Sequence, residues 1–203
     1  MNFRKSQMED VDRILELIEM AKSSLKEMGI DQWQNGYPNR EKIENDVNKG
    51  ISYVLEIEKS ITENTDFDKD SNKKIVATIV LSPEPETAYD NIDGSWKTTE
   101  PYVAIHRVAV DNSVKNQGIA TKILSYSENF CRENGIENLR ADTHIENIPM
   151  QRVLIKQGFE VRGEITLDRE PDVGAKRIAF DKIVKKIEIL DRKFYKKFYK
   201  GRE

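Results

Sequence analysis

The stretch from residue 106 to residue 163 constrains the fold of this chain more than any other part of its sequence. It has the pattern of a strand, a glycine-containing loop, a long helix, a second strand, a short helix and a Gly-Phe pair that leads into a last strand. The loop has the sequence Lys115-Asn116-Gln117-Gly118-Ile119-Ala120. A loop that presents backbone N–H groups at the start of a helix binds anions. The sequence therefore predicts a mixed domain of helices and strands with an anion site where the long helix begins.

The composition limits the classes of protein to which the chain can belong. It has 203 residues, of which 37% are hydrophobic and 34% are charged, and a formal net charge of −3. This length is sufficient for one domain with a sizeable core, and the small net charge does not favour a nucleic-acid partner. No apolar run approaches membrane-spanning length, and the N-terminal MNFRKSQMED lacks the apolar centre of a signal peptide. We therefore expect a cytoplasmic protein without a membrane partner.

Cysteine and histidine are scarce. The single cysteine, Cys131, excludes an internal disulfide framework, and its helical spacing indicates a packed thiol. The two histidines, His106 and His144, do not form a metal-ligand pattern with this cysteine. We therefore expect no metal site.

The spacing of apolar residues predicts the order of strands and helices. An apolar residue recurs every three or four positions between Met8 and Met28, which is typical of an amphipathic helix, and Gly29 would end it. Residues 58–74 are polar and aperiodic, so we expect a flexible loop between two strands of a hairpin. The predicted strands are 2–5, 51–57, 75–81, 102–110, 139–143, 159–165 and 177–184, and the predicted helices are 8–28, 39–49, 117–134 and 147–157.

The last segment, residues 185–203, differs in pattern from the predicted domain at 1–184. Its apolar residues, spaced by three or four positions, are Ile187, Leu190, Phe194 and Phe198. Lys and Arg fill the other faces, so the segment is predicted to form a basic amphipathic helix. We expect this helix to dock on its own domain or on the second subunit of a homodimer, with a membrane surface or RNA as the alternative.

The core stretch resembles that of a known family. Asn147 stands about eleven residues before Gly158-Phe159, the spacing at which that family has an asparagine. With the Gly118 loop, this spacing makes the chain similar to the GNAT family, the Gcn5-related N-acetyltransferases, and to its small bacterial members. The resemblance covers about residues 2–184. It implies an α/β (α+β) fold with a mixed, mostly antiparallel sheet between helices, and acetyl-CoA as co-substrate.

The resemblance also implies where acetyl-CoA binds. The family's phosphate signature has Arg or Gln, two residues, Gly, one residue, and then Gly or Ala; Lys115, Gly118 and Ala120 occupy these positions, so the first departs from the pattern. Glycine lets the backbone approach the pyrophosphate closely, and the helix N-terminus favours its charge. Asn147 is expected to bond the pantetheine arm or to cap the following helix. The expected cofactor contacts are Val108, Ala109, Val110, Lys115, Asn116, Gln117, Gly118, Ile119, Ala120, Thr121 and Asn147.

In the family, the strand that corresponds to 102–110 parts from its neighbour, here 139–143, at a bulge, which opens a V-shaped gap. Backbone groups near Val108 and Val110 would then pair with the pantetheine arm as a strand does. A backbone N–H group in this gap would stabilise the oxyanion of the tetrahedral intermediate. These expectations concern the backbone, because the valine side chains belong to the core.

Two histidines are the candidate catalytic residues. His106 lies four residues before Val110, where the family's aralkylamine acetyltransferases have a proton-relaying histidine, and strand alternation predicts that it shares a face with Val108 and Val110. An imidazole is suited to accept the proton of an incoming amine; a structural histidine is the alternative. Asp142 precedes His144 by two residues, so the two side chains share a face of the strand. Asp142 would then orient His144 or favour its charged form. Alternatively, this pair only fixes the turn into the next helix.

The sequence defines less well the acid that protonates the departing thiolate and the pocket for the acceptor. Many family members have a tyrosine four residues before Gly-Phe that protonates the departing thiolate; this chain has Leu154 there. Water or a tyrosine from a loop would have to replace it. Trp33, Tyr37 and Asp142 are the expected substrate-binding residues, although the two aromatic rings are equally compatible with a role in stability.

The sequence thus predicts an N-acetyltransferase that moves an acetyl group from acetyl-CoA to a primary amine by direct attack in a ternary complex. The amine belongs to a small molecule or a peptide, and polyamines, amino acids, aminoglycosides and protein N-termini all remain open. A CoA-binding sensor or interaction module without catalysis is the alternative, because Leu154 replaces the usual acid. A modifier associated with RNA or the ribosome is a further alternative, suggested by the basic segment at 185–203.

Overall fold

The computed structural model of the protein describes residues 1–58 and 73–184. The strands in this part of the chain are β1 (Asn2–Lys5), β2 (Ser52–Glu58), β3 (Lys73–Ser82), β4 (Asp93–Gly94), β5 (Val103–Val110), β6 (Asn138–Thr143), β7 (Glu160–Thr166) and β8 (Lys176–Ile183). The helices are α1 (Val11–Glu27), α2 (Arg40–Asn48), α3 (Ile119–Asn134) and α4 (Ile148–Lys156), with single 3-10 turns at Met8–Asp10, Thr87–Tyr89 and Asn112–Val114. The predicted C-terminal helix at 185–203 and most of the predicted loop at 58–74 lie outside the described residues.

The strands form one eight-stranded sheet in the order β1-β2-β3-β5-β6-β8-β7-β4. Every neighbouring pair is antiparallel except β5 and β6, which are parallel. The predicted mixed, mostly antiparallel sheet is therefore confirmed. The sequence missed the two-residue strand β4, which pairs with β7 where an irregular segment was expected.

Helices cover both faces of the sheet. The apolar stripe of α1 is buried with Ile43 and Val47 of α2 against one face, in a cluster that includes Ala109 of β5. On the other face, α3 and α4 bury Ile123 and Leu154 in the largest cluster of the core. In the described residues, no helix has the length and apolar character that a membrane span requires.

A bulge in β5 determines which side chains of this strand face which layer. Val80 pairs with His106 and Thr78 with Ala109, so two residues of β5 lie opposite one residue of β3. The backbone of Arg107 has a φ of 50°, in the left-handed region that residues with a side chain rarely adopt. The extra residue changes the side-chain alternation beyond it.

This bulge contradicts one of the expectations from the sequence. Ile105, Val108 and Val110 all contact the cluster beneath α3, whereas Ala104 contacts the cluster on the opposite side of the sheet. His106 follows Ala104 by two residues and therefore lies on that opposite side. The expectation that His106 shares a face with Val108 and Val110 is wrong, because the bulge between them adds one residue.

The V-shaped gap between β5 and β6 follows from their short pairing. The two strands pair only at Val103–Leu139, Ala104–Arg140 and Ile105–Ala141. Beyond Ile105, β5 continues to pair with β3, and beyond Ala141, β6 continues to pair with β8. The expected separation of these strands is confirmed, and it leaves one edge of β5 without a neighbouring strand.

A buried ion pair holds the bulge in place. Arg107 Nε lies 2.7 Å from Asp46 Oδ2 of α2, and the exposed fractions of the two side chains are 5% and 0%. Arg107 Nη1 also donates a hydrogen bond of 2.7 Å to the hydroxyl of Tyr37. The strained residue is thus fixed from outside the strand by a helix and a loop.

We expect Asp46→Ala to destabilise the protein by about 3–5 kcal/mol, because it leaves the buried guanidinium of Arg107 without its counter-ion. Urea denaturation followed by circular dichroism would measure the free energy of unfolding. Asp12→Ala is the control, since it removes an ion pair with Arg40 in which both side chains are exposed, and we expect a change of about 0.5 kcal/mol or less. Equal effects of the two substitutions would contradict the role given to the buried pair.

Candidate functional site

A cleft with a volume of about 810 Å³ passes through the gap between β5 and β6. Ile105 and Val108 line it from β5, and Ala141 and Thr143 line it from β6. In one direction the lining continues to the loop before α3, and in the other to Trp33 and a group of polar side chains. The cleft therefore connects the predicted anion site with the predicted acceptor pocket.

The loop before α3 presents free backbone donors to the cleft. Gly118 has a φ of 74° and directly precedes the helix, whose first hydrogen bond runs from the N–H of Lys122 to the carbonyl oxygen of Gly118 at 2.9 Å. Among the hydrogen bonds of the described residues, none uses the backbone N–H of Gly118, Ile119, Ala120 or Thr121. These four groups and the helix dipole make a site for an anion such as a pyrophosphate.

Most of the expected cofactor residues line the cleft. Those that do so are Val108, Ala109, Val110, Lys115, Asn116, Gly118, Ile119, Ala120, Thr121 and Asn147. Gln117 does not, and its N–H is used in a 3.4 Å bond to the carbonyl oxygen of Val114. The roles of these residues in binding acetyl-CoA remain predictions.

Sequence reasoning missed two basic residues of α4. Arg152 and Lys156 line the same end of the cleft as Lys115. Their spacing of four residues puts them on one face of the helix, and this was the signal that could have identified them. Together the three side chains give that end of the cleft a positive charge suited to phosphate groups.

Asn147 combines the two roles that the sequence left open. Its Oδ1 accepts a hydrogen bond of 3.3 Å from the N–H of Met150, so it caps α4. Its Nδ2 donates to Thr143 Oγ1 at 3.0 Å. Both Asn147 and Thr143 line the cleft, so the cap also holds the end of β6 at the cleft.

His106 lies in the cleft wall beside a carboxylate that the sequence did not indicate. Its Nε2 is 2.8 Å from Glu86 Oε1, and the other oxygen of Glu86 is 2.9 Å from Arg169 Nη2. Burial would raise the pKa of Glu86, but its interactions with His106 and the charges of Arg169 and Arg107 outweigh burial and lower the pKa to about 2. Glu86 is therefore ionised at neutral pH. No local signal identifies it, because its partners are distant in the sequence.

The expected pairing of Asp142 with His144 is wrong. Asp142 Oδ1 accepts a hydrogen bond of 2.8 Å from the hydroxyl of Tyr89, and burial together with this carboxylate raises the pKa of Tyr89. His144 Nδ1 instead accepts from the N–H of Glu146 at 3.1 Å, and its Nε2 is 3.4 Å from Asp31. His144 thus shapes the turn before α4, as in the alternative, whereas Asp142 lines the cleft.

The two predicted aromatic residues, Trp33 and Tyr37, both line the cleft. Trp33 also packs against the cluster of α1 and α2, so it contributes to stability as well. Leu154 is fully buried in the core. In the described part of the chain, Tyr37 is the one tyrosine among the lining residues.

The cysteine and the groups that could ligate a metal also bear on the chemistry of the site. Cys131 is buried within the core, and burial raises the pKa of its thiol to about 12, so it is not a nucleophile at neutral pH. Among residues 1–58 and 73–184, no group of three His, Cys, Asp or Glu side chains is placed to hold a metal ion.

A comparison with protein families finds a match over more than half of the chain. The model of the acetyltransferase (GNAT) family matches residues 28–159. This range contains the loop before α3, Asn147, His106 and Glu86. Members of this family use acetyl-CoA as co-substrate. A comparison with curated proteins finds no match.

Solved structures of acetyltransferases have similar folds. A GNAT-family acetyltransferase from Streptococcus agalactiae 2603 is 29% identical, with a TM-score of 0.73 over 91% of this chain and 96% of that chain. A putative acetyltransferase from Staphylococcus aureus Mu50 is 28% identical, with a TM-score of 0.63 over 91% of this chain and 100% of that chain. A ribosomal-protein-alanine N-acetyltransferase from Brucella melitensis, 16% identical, shares the fold with a TM-score of 0.58 over 90% of this chain and 99% of that chain.

We expect Gly118→Val to abolish measurable binding of acetyl-CoA, because a branched side chain at the helix start would occupy the space beside the free N–H groups. Isothermal titration calorimetry would measure the affinity. Gly135→Val is the matched control: Gly135 ends the same helix with a φ of 69°, close to the 74° of Gly118, and neither glycine has a protein atom within 4 Å of an added Cβ. Both variants carry the same backbone strain, so equal affinities would contradict the anion site.

The low pKa of Glu86 predicts a pH dependence of stability. A carboxylate whose pKa is lower in the folded protein, about 2, than its ordinary value of 4.5 stabilises the fold above the ordinary value and loses this effect as the pH falls toward 2. Between about pH 5 and pH 3, the wild-type free energy of unfolding should therefore fall more steeply than that of Glu86→Gln. Denaturant titrations at several pH values would measure both. Glu84→Gln, which removes an exposed carboxylate, should retain the wild-type slope.

Proposed function

The chain belongs to the GNAT family of acetyltransferases, and we propose that it moves an acetyl group from acetyl-CoA to a primary amine by direct attack in a ternary complex. The observation that supports this proposal most is the continuous cleft, which joins free helix N–H groups at one end to His106 and its carboxylate partner Glu86 at the other. Acetyl-CoA supplies the acetyl group as a thioester, which is reactive toward an amine.

The cofactor end is suited to the phosphates and the pantetheine arm. The N–H groups from Gly118 to Thr121 would hold the pyrophosphate, with a helix-dipole contribution of about 0.3–1 kcal/mol. Lys115, Arg152 and Lys156 would add positive charge. The free edge of β5 beyond Ile105 offers backbone donors and acceptors to the pantetheine amides, and a backbone N–H there would stabilise the oxyanion.

His106 is the proposed general base. Its Nε2 lies 2.8 Å from the ionised carboxylate of Glu86, and a neutral imidazole with its hydrogen on Nε2 would keep a lone pair on Nδ1. Nδ1 would take the proton of the amine, directly or through water. The negative charge of Glu86 would then stabilise the imidazolium that forms.

A direct transfer agrees with the position of the one cysteine, since the thiol of Cys131 is buried and protonated. For the acid that protonates the departing CoA thiolate, we propose Tyr37, the loop tyrosine that lines the cleft. Its hydroxyl oxygen accepts a hydrogen bond from Arg107 at 2.7 Å, so its own proton remains free for donation. In this role Tyr37 would replace the tyrosine that the family has at the position of Leu154.

We expect His106→Ala to lower kcat/KM by about 10²–10⁴-fold, the usual contribution of a positioned general base. Acetyl transfer to a panel of amines, measured as released CoA thiol, gives this value. The acidic limb of the pH–rate profile should move or disappear, and the affinity for acetyl-CoA should stay unchanged, because the proposed cofactor contacts come from other residues.

His144→Ala is the matched control, since this side chain lies in a turn and does not line the cleft. We expect it to retain kcat within a few-fold. An unchanged kcat/KM and acidic limb in His106→Ala would show that His106 is structural. Tight binding of acetyl-CoA by the wild-type protein without transfer to any amine would instead support the CoA-binding module.

A further inference from the structure

The cleft is lined by arginines as well as by carboxylates, among them Asp142, Glu170 and Asp172. The arginines at the acceptor side are Arg107, Arg169 and Arg177. An ammonium group is repelled by an arginine that no carboxylate neutralises. The three arginines differ in how far carboxylates of the protein already neutralise them.

Arg107 and Arg169 both have close carboxylate partners. Arg107 Nε is 2.7 Å from Asp46 Oδ2, and Arg169 Nη2 is 2.9 Å from Glu86 Oε2. The first pair holds the bulge of β5, and the second holds the carboxylate that faces His106. Their charges are therefore balanced by the protein itself.

Arg177 is buried but has few partners. Its side chain is only 3% exposed, and the nearest carboxylate oxygen, Asp172 Oδ2, lies 3.7 Å from its Nη2, which is too long for a hydrogen bond. Within the described residues, its one hydrogen bond runs from Nη1 to the carbonyl oxygen of Lys176 at 3.0 Å. A guanidinium has several N–H donors in a planar fork, and no nitrogen of Arg177 is a fully buried atom without a partner. Arg177 thus has donors at the cleft wall that no acceptor of the described residues occupies.

Arg177 lies on the same face of the sheet as His106. Asp142 of β6 pairs with Ala179 of β8, and Arg177 precedes Ala179 by two residues, so these three side chains share a face. Ala179 and Ala104 contact the same cluster, and His106 follows Ala104 by two residues. Diagonal cross-strand neighbours such as Arg177 and Asp142 are about 7–8 Å apart, and β6, which carries Asp142, lies between the strands of Arg177 and His106.

We propose that Arg177 binds a carboxylate of the acceptor, and that the acceptor is an amino acid, with a primary amine that reacts and a carboxylate that is held. This inference rests on the N-acetyltransferase function proposed above. A carboxylate matches the guanidinium fork with two parallel hydrogen bonds and supplies acceptors for the donors that the protein leaves unpaired. The amine would then lie beside His106, whose Nε2 is 2.8 Å from the carboxylate of Glu86.

This charge pattern separates the acceptor classes that the sequence left open. A polyamine or an aminoglycoside has no carboxylate, so it would add positive charge to the cleft and leave Arg177 without an acceptor. The N-terminus of a protein has its first carbonyl in a neutral peptide bond and offers no carboxylate at that position. Among these classes, an amino acid supplies both a carboxylate for the guanidinium of Arg177 and the amine that reacts.

The test compares amino acids with their carboxamides as acceptors for the full-length protein. We expect kcat/KM for the preferred amino acid to exceed that for its carboxamide on the order of 10–100-fold, as expected for charge-assisted hydrogen bonds. Arg177→Gln should raise the KM for the amino acid by a similar factor and bring the ratio of the two kcat/KM values close to one. Arg177→Lys, which keeps the charge but not the fork, should recover part of the preference.

Two control variants isolate the role of Arg177. Arg162→Gln removes another largely buried arginine, whose Nε is 2.6 Å from Asp181, and it should keep the wild-type preference because Arg162 does not line the cleft. Asp172→Asn removes the carboxylate nearest to Arg177 and should leave the preference for the amino acid intact. If Asp172→Asn abolishes this preference as Arg177→Gln does, Arg177 only positions Asp172 and the inference is overturned.

A binding measurement separates this inference from the proposed function. With CoA bound, the preferred amino acid should raise the melting temperature of the wild-type protein more than its carboxamide does, and Arg177→Gln should remove the difference. Such stabilisation without transfer to any amine would support the carboxylate site and contradict the acetyltransferase function. Transfer to carboxamides or polyamines as fast as to amino acids would overturn the carboxylate site while the function stands. No stabilisation and no preference would also overturn it.

Discussion

The ion pair between Arg107 and Asp46 is the interaction on which the site depends. Arg107 occupies a backbone conformation with a φ of 50° that costs free energy, and a fully buried carboxylate of α2 holds its side chain. The bulge that results lies just beyond Ile105, where the pairing of β5 with β6 ends. It also turns His106 away from the side of Val108. One local irregularity therefore produces both the gap for the cofactor and the position of the proposed base.

The two ends of the cleft would bind negative charge by different means. At the cofactor end, backbone N–H groups of α3 and several basic side chains are available, a combination that fits phosphates of varied geometry. At the acceptor end, the guanidinium of Arg177 is buried and planar, which favours a carboxylate in one orientation. Between them, Glu86 remains ionised beside His106, with Arg169 at its other oxygen.

The sequence predicted the parts of the site that depend on local pattern. The loop at Gly118 and the cap at Asn147 could be identified because a helix start has a short sequence signature. The face of His106 was predicted wrongly although the resemblance implies a bulge in this strand, because the apolar alternation does not show at which residue the bulge falls. The contacts of His106 with Glu86 and of Asp142 with Tyr89 were not predicted for another reason. Glu86 and Tyr89 belong to the irregular segment after β3, and only the folded chain brings this segment beside β5 and β6.

The position of Arg177 along the chain fits its proposed role. The family model covers residues 28–159, which include the free N–H groups of α3, Asn147 and His106. Arg169 and Arg177 come after this range: Arg169 lies in the loop between β7 and β8, and Arg177 lies at the start of β8. A family whose members share a co-substrate but act on different amines would keep the cofactor end within its common core and place acceptor contacts on variable segments around it. Because β8 is paired with β6, the last described strand nevertheless brings Arg177 within reach of Asp142 and the cleft.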